Sequence, residues 1–152
     1  MRKIITEKSE IEKIIKQAKV CRLGLAHENK PYIVPMNFGY ENGCLYFHSK
    51  NNGKKMEMIK NNSQVCFEID IDTQIIQADK PCNWGMDYRS VIGFGKAVLL
   101  EDKQQKKNAL DIIMKQYSNE KTFQYPDEML DKVIAIKLII DEMTGKIADS
   151  TS

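Results

Sequence analysis

The chain has 152 residues, of which 42% are hydrophobic and 29% charged, and its formal net charge is +2. This composition is typical of one globular domain with a substantial core, so we expect a single domain over residues 1–152. The small net charge gives no support for binding to nucleic acid or to an anionic membrane, and no apolar run approaches the roughly 20 residues that span a bilayer. The N-terminus turns acidic at Glu7 and lacks the apolar core of a secretory signal, so a cytoplasmic protein is expected.

Helical and strand patterns alternate in the first third of the chain. Ser9 as N-cap and Glu12 three residues further on form a capping-box pattern that predicts a helix, with an apolar face of Ile11, Ile14, Ile15 and Ala18. Strands are predicted over 20–26 and 32–40, and Asn42-Gly43 predicts a tight hairpin turn into a return strand over 45–47. A polar loop over 48–53 is then expected to enter a short helix near Lys54 that ends at 61–62.

The remaining pattern is dominated by strands. They are predicted over 65–71, 73–78, 88–100 and 133–140, a helix is predicted over 103–117, and the tail over 144–152 is expected to fray. Gly93 and Gly95 predict a bulge or a close backbone approach within their strand. Six or seven short strands with mainly hairpin spacing and few helices predict a mainly β (α+β) fold, and favour a closed antiparallel barrel.

The cysteines are widely spaced and include no Cys-x-x-Cys pair, which predicts reduced structural thiols at Cys21, Cys44, Cys66 and Cys82. A zinc site from Cys82, His27 and His48 lacks ligand spacing, so no metal is expected.

The stretch 48–55 has the composition of an anion site. A strand end delivers His48 and Ser49, and Gly53 precedes Lys54 and Lys55 at the start of a helix. Free amide N–H groups and the positive end of the helix dipole favour a phosphate at such a position. The alternative is that the lysines of 50–60 form a solvated helix face and that His48 is a surface residue.

Five segments, 20–25, 31–40, 46–55, 65–68 and 82–95, occur in an order that resembles the nitroimidazole-resistance family. That family belongs to the FMN-binding split barrels related to pyridoxamine 5′-phosphate oxidase. The resemblance extends from about Glu7 to Lys146. It implies a split β-barrel with flanking helices, bound FMN, and a homodimer with the flavins at the subunit interface.

The resemblance also assigns individual cofactor contacts. Backbone groups beside the flavin ring correspond to Tyr32, Ile33, Val34, Pro35, Met36 and Asn37, and the phosphate contacts to Gly53, Lys54 and Lys55. His48 and Ser49 correspond to the strand end that meets the cofactor, and Ser90 to a position that reaches the flavin from the partner subunit. His48 also corresponds to a histidine associated with activity. The chain lacks the arginine-rich, proline-terminated C-terminus of true pyridoxamine phosphate oxidases, so oxidation of a pyridoxine vitamer is not expected.

The leading hypothesis is an FMN-dependent oxidoreductase that reduces a small aromatic or nitro-substituted acceptor. His48 would donate a proton or position the acceptor, and Met36, Phe38 and Trp84 would form apolar walls. A flavin- or ligand-binding carrier or sensor without turnover has the same sequence features. A nucleic-acid-binding barrel is disfavoured because the chain lacks a basic, aromatic face. The roles of Trp84 and Tyr88 stay open.

Overall fold

The computed structural model describes residues 1–151. Within them the chain forms eight β-strands and four α-helices, with a short 3-10 turn at Pro81–Asn83. In chain order these are β1 (Arg2–Ile5), α1 (Lys8–Gln17), β2 (Cys21–His27), β3 (Lys30–Met36), β4 (Gly39–Glu41), β5 (Cys44–Lys50), α2 (Lys54–Asn61), β6 (Gln64–Ile76), β7 (Gly85–Leu100), α3 (Lys103–Tyr117), α4 (Asp127–Lys132) and β8 (Val133–Ala148).

The strands form one antiparallel sheet in the order β3-β2-β6-β7-β8-β5-β4, with β1 added to β8. This confirms the mainly β prediction, but the closed barrel is wrong, because β3 and β4 at the two ends of the path do not pair. The predicted strand over 32–40 is in fact two strands, β3 and β4, interrupted at Asn37 and Phe38. Residues 37 and 38 connect β3 directly to β4. The two end strands of the sheet are therefore joined by a short peptide segment and not by hydrogen bonds between strands. The predicted turn between β4 and β5 is confirmed, with φ of 50° at Asn42 and 75° at Gly43.

The curved sheet encloses the main core on its inward side. Phe38, Phe47 and Phe67 are fully buried there. The predicted apolar face of α1 packs against the same core. On the outward side, α3 and α4 cover the region around β4 and β5 through a smaller cluster of Leu110, Ile113 and Leu130. The bounds of α3 agree with the predicted helix over 103–117.

The N-terminal part differs from the prediction in two ways. Helix α1 begins at Lys8, the residue before it is Glu7, and no side chain caps it, so Ser9 is not the N-cap. The Glu7 carbonyl accepts from the Ile11 N–H at 3.1 Å, which places Ser9 inside the first turn. Strand β1 and helix α4 were not predicted. Both are short, and such elements depend on tertiary partners more than on local pattern.

Two long strands replace separate predicted segments. The strands expected over 65–71 and 73–78 are one strand, β6, with an irregularity between Ile71 and Gln74 and a φ of 56° at Asp72. The tail expected to fray is ordered through Ala148, because β8 is paired with β1 on one side and β7 on the other. Ser152, the last residue of that predicted tail, lies outside the described residues.

None of the four cysteines forms a disulfide within the described residues. Over residues 1–151 no helix has the length and apolar character needed to cross a membrane. The same residues contain no group of three or more His, Cys, Asp or Glu side chains arranged to hold a metal ion.

Candidate functional site

Helix α2 begins at Lys54, as predicted, and Gly53 precedes it with φ of 108°. This positive φ is in the region that glycine adopts without strain, which explains the residue type at this position. No side chain among the described residues caps this helix. The first turn of an α-helix leaves amide N–H groups without intrahelical partners, and these favour an anion.

Both lysines of the first turn lean over strand β3. The Lys54 ammonium lies 4.6 Å from the centre of the Tyr32 ring, a cation–π contact. The Lys55 ammonium lies 3.3 Å from the Met36 sulfur, and burial lowers the pKa of Lys55. The two contacts place the positive charges of α2 along the length of β3.

Within residues 1–151, β3 is an edge strand that pairs with β2 alone. In a strand paired on one side, every second residue directs its N–H and C=O away from the ladder. Such groups are available to a planar ligand with donors and acceptors along one edge, although Pro31 and Pro35 of β3 contribute a carbonyl oxygen and no N–H. Of the predicted contacts over 32–37, those over 32–36 lie on β3, where Lys54 and Lys55 approach, whereas Asn37 lies in the interruption between β3 and β4.

His48, Ser49 and Lys50 belong to β5. His48 lies opposite Ala135 of β8. The predicted loop over 48–53 is thus wrong for its first three residues, because pairing with β8 extends the strand. The His48 side chain is exposed, yet partial desolvation and, secondarily, the charge of Lys55 lower its pKa. Lys55 therefore contacts β3 through Met36 and influences β5 electrostatically through His48.

Other predicted site residues do not join this region within one chain. Ser90 lies on β7, opposite Asp70 of β6 and Lys146 of β8, three strands away from β3. Phe38 is fully buried in the main core, so the prediction that it forms an apolar wall is wrong. Trp84 is half exposed just before β7, and its indole N–H donates to the Ala78 carbonyl at 2.7 Å.

Sequence reasoning missed an apolar face on the outward side of the sheet. The residues of this outward face are large, hydrophobic and 41–66% exposed: Ile33, Ile92, Phe94, Val98 and Ile139. A groove of about 600 Å³ crosses the face, with Gly24, Cys66 and Phe94 among its lining residues. A Cβ at Gly24 would approach the Cys66 sulfur to 2.6 Å, so glycine keeps the groove open. The sequence signal for this outward face is that β7 carries apolar residues on both of its alternating sides.

The family model for pyridoxamine 5′-phosphate oxidase matches residues 7–147, so the chain belongs to this family. The chain is 39% identical to a candidate 5-nitroimidazole antibiotic resistance protein of Bacteroides thetaiotaomicron. That match covers 97% of this chain and 87% of the other, with a TM-score of 0.85. The resemblance drawn from the sequence is therefore confirmed.

Two further solved structures show the same fold at lower identity. An FAD and heme binding protein from Mycobacterium smegmatis is 16% identical, with 97% and 74% of the two chains covered and a TM-score of 0.87. An FAD-binding protein from Mesorhizobium loti is 22% identical, with 98% and 99% covered and a TM-score of 0.73. None of the curated proteins compared with the chain matches it significantly. The open antiparallel sheet is thus the split barrel shared by these proteins.

Proposed function

We propose that the chain binds FMN along β3 and α2 and acts as an oxidoreductase on a small aromatic or nitro-substituted acceptor. The observation that carries the proposal is the position of Lys55. Its ammonium contacts Met36 on the open edge of β3, lies at an uncapped helix N-terminus, and influences His48 on β5. A phosphate, a planar ring and an acceptor could all be held around this one residue.

The residues present fit such a cofactor. The first turn of α2 offers two ammonium groups and free amide N–H groups to a phosphate. Lysine acts there as a point charge rather than as a bidentate fork. The exposed edge of β3 offers backbone donors and acceptors to the polar edge of a flavin ring. FMN, when bound, would supply the electron-transfer chemistry.

His48 has two roles within this proposal. Its pKa is lowered, so the imidazole is mainly neutral at neutral pH and can donate one hydrogen bond to an oxygen of the acceptor. A phosphate beside Lys55 would offset the ammonium charge that contributes to this shift. The imidazole would then be protonated more readily in the FMN-loaded protein, and the protonated imidazole is the form that donates a proton to the acceptor.

The outward face supports a homodimer as the proposed active form. Five large hydrophobic side chains remain 41–66% exposed on it. Several large exposed hydrophobic side chains on one face of a sheet mark an interaction site in soluble proteins. A second copy that covered this face would bring its own β7, and hence its Ser90, toward the first chain. Four unpaired cysteines accord with the cytoplasmic location that we also propose.

The phosphate position is tested by a Lys54→Ala/Lys55→Ala double variant, with Lys60→Ala in the last turn of α2 as the matched control. FMN, FAD and riboflavin are titrated into each protein, and binding is followed by flavin fluorescence. We expect the double variant to lose about 100-fold in FMN affinity, from the loss of two charged contacts. Riboflavin lacks the phosphate, so its affinity should be nearly unchanged, and Lys60→Ala should bind FMN like the parent.

Equal losses for FMN and riboflavin would contradict the phosphate assignment, and tighter binding of FAD than of FMN would contradict the choice of cofactor.

A measurement of turnover distinguishes the enzyme from the carrier or sensor alternative. Anaerobically reduced, flavin-loaded protein should be reoxidised rapidly by a nitroaromatic compound. Reoxidation no faster than that of free reduced FMN would favour the carrier.

A further inference from the structure

A compact charged cluster interrupts the apolar outward face. Arg22 on β2 lies 3.1 Å from the Asp70 carboxylate and 3.6 Å from the Glu68 carboxylate, both on β6. Arg22 and Glu68 are direct cross-strand partners. Two carboxylates face one guanidinium, so the cluster of Arg22, Glu68 and Asp70 carries a net negative charge when all three groups are ionised.

Glu68 is poorly satisfied in this cluster. Its Oε1 atom is buried, lies 3.6 Å from the Arg22 guanidinium, and accepts no hydrogen bond from residues 1–151. Burial, and secondarily the neighbouring Asp70 carboxyl group, raises the pKa of Glu68 to about 7, and Arg22 opposes the shift. The two carboxyl groups therefore compete for one cation, and a proton shared between them relieves their repulsion.

The surroundings of Glu68 offer little other compensation. Ile92 of β7 lies directly opposite it, and Ser90 lies opposite Asp70. Lys146 of β8 is separated from Asp70 by Ser90. The remaining titratable neighbour is the Cys21 thiol, whose pKa is raised by burial and secondarily by the charge of Glu68. Arg22 is thus the principal cation of the cluster.

The cluster lies among the residues that a partner would cover. Pro35 is the neighbour of Arg22 on β3, and Ile92 borders Glu68 on β7, with Phe94 two residues further along. A second copy that covers Ile92 and Phe94 must also remove water from Glu68. Desolvating an uncompensated carboxylate is costly, whereas a cluster of one guanidinium, one carboxylate and one carboxylic acid is neutral.

We propose that the Glu68–Asp70 pair is a proton-binding site on the dimer face, so that two chains associate with proton uptake and separate as the pH rises. This inference rests on the homodimer of the proposed function. Each chain takes up at most one proton on Glu68, hence two protons per dimer. Covering the site favours the protonated form further, so the dimer is stabilised at low pH and weakened where Glu68 must ionise.

The test is the dimer dissociation constant of the full chain, measured by analytical ultracentrifugation between about pH 6 and pH 8.5. We expect the constant to rise about tenfold or more across this range for the parent protein, as linkage to one or two protons requires. Glu68→Gln should give a nearly pH-independent constant. Glu142→Gln, an exposed carboxylate opposite Phe94 on the same face, should keep the pH dependence of the parent.

A second variant covers the case in which Glu68→Gln does not fold. Asp70→Asn leaves one guanidinium with one carboxylate, a cluster that is neutral without proton uptake, so the dissociation constant of this variant should also become nearly independent of pH. A parent dimer whose dissociation constant does not change with pH would overturn this inference and leave the dimer standing. A chain that is monomeric at every pH would overturn both, while the flavin titration of the lysine variants would still decide the cofactor site.

Discussion

The two sides of strand β7 have similar hydrophobic content and opposite surroundings. On the inward side, Val91 and Ala97 are buried. Gly93 and Gly95 allow the Phe67 ring of β6 and the Ile139 backbone of β8 to approach closely. On the outward side, Ile92, Phe94 and Val98 are 41–50% exposed. The chain covers the first side with its own core and leaves the second uncovered around β6 and β7, since α3 and α4 contact the sheet near β4, β5 and β8.

This difference separates two roles of hydrophobic residues in one strand. The inward residues stabilise the single chain, because their burial is complete without a partner. The outward residues contribute to stability only if another surface removes them from water. Substitutions on the two sides should therefore change different measurements, namely the free energy of unfolding for one side and the association constant for the other.

The largest effect is expected at the inward glycines. A Cβ at Gly95 would overlap the backbone carbonyl oxygen of Ile139, and one at Gly93 would overlap the buried Phe67 ring. We expect Gly95→Ala to lower the free energy of unfolding by about 3 kcal/mol, because a backbone clash cannot be relieved by a rotamer change. A Cβ at Gly85 in the same strand would meet no atom within 4 Å, so Gly85→Ala should change stability by less than about 0.5 kcal/mol. Chemical denaturation measures both, and equal effects would contradict the packing described.

A pair of substitutions tests the two sides directly. Phe94→Ser should weaken dimer association by about 10- to 100-fold, as expected for an aromatic residue at an interface centre, with little change in the unfolding of the dissociated chain. Val91→Ala should do the reverse, costing about 2 kcal/mol of unfolding free energy and leaving association nearly unchanged. Ultracentrifugation gives the association constant. Denaturation at concentrations below the dimer dissociation constant gives the unfolding free energy of the single chain. Loss of chain stability in Phe94→Ser would show that this ring already packs within one chain.

Local sequence patterns predicted those parts of the fold that local interactions determine. The hairpin at Asn42-Gly43 and the helix over 103–117 follow from turn chemistry and periodicity, and both are found. The pairing of β1 with β8 and the order of the tail depend on strands more than a hundred residues apart. No local pattern contains that information.

The candidate site divides in the same way. Lys54, Lys55 and Gly53 form a helix start that can be recognised from sequence, and the structure places them there. The contact of Lys55 with Met36 and its influence on His48 join three separate elements, so they depend on the tertiary fold. The carboxyl pair on β6 was missed because Glu68 and Asp70 alternate with buried residues as in any amphipathic strand. Their competition for a single cation emerges only in the folded chain, where Arg22 of β2 lies beside both carboxylates.

The smallest predicted effect concerns strand β5, where Phe47 is buried on the inward side and His48 is exposed on the outward side. The pKa of His48 is lowered first by partial desolvation and second by the charge of Lys55, so Lys55→Ala should raise this pKa and leave it below the ordinary value of a solvated histidine. Because folding lowers this pKa, the stability that neutral His48 contributes is present above the unfolded value and declines as the pH falls through it toward the folded value. NMR titration of the imidazole resonances measures the shift, with Lys60→Ala as control and His27, the other histidine, as an internal reference.

FMN should raise the pKa of His48 in the parent protein by bringing a phosphate to Lys55. A pKa that does not respond to either change would remove His48 from the neighbourhood of the phosphate and leave it as a surface residue of β5.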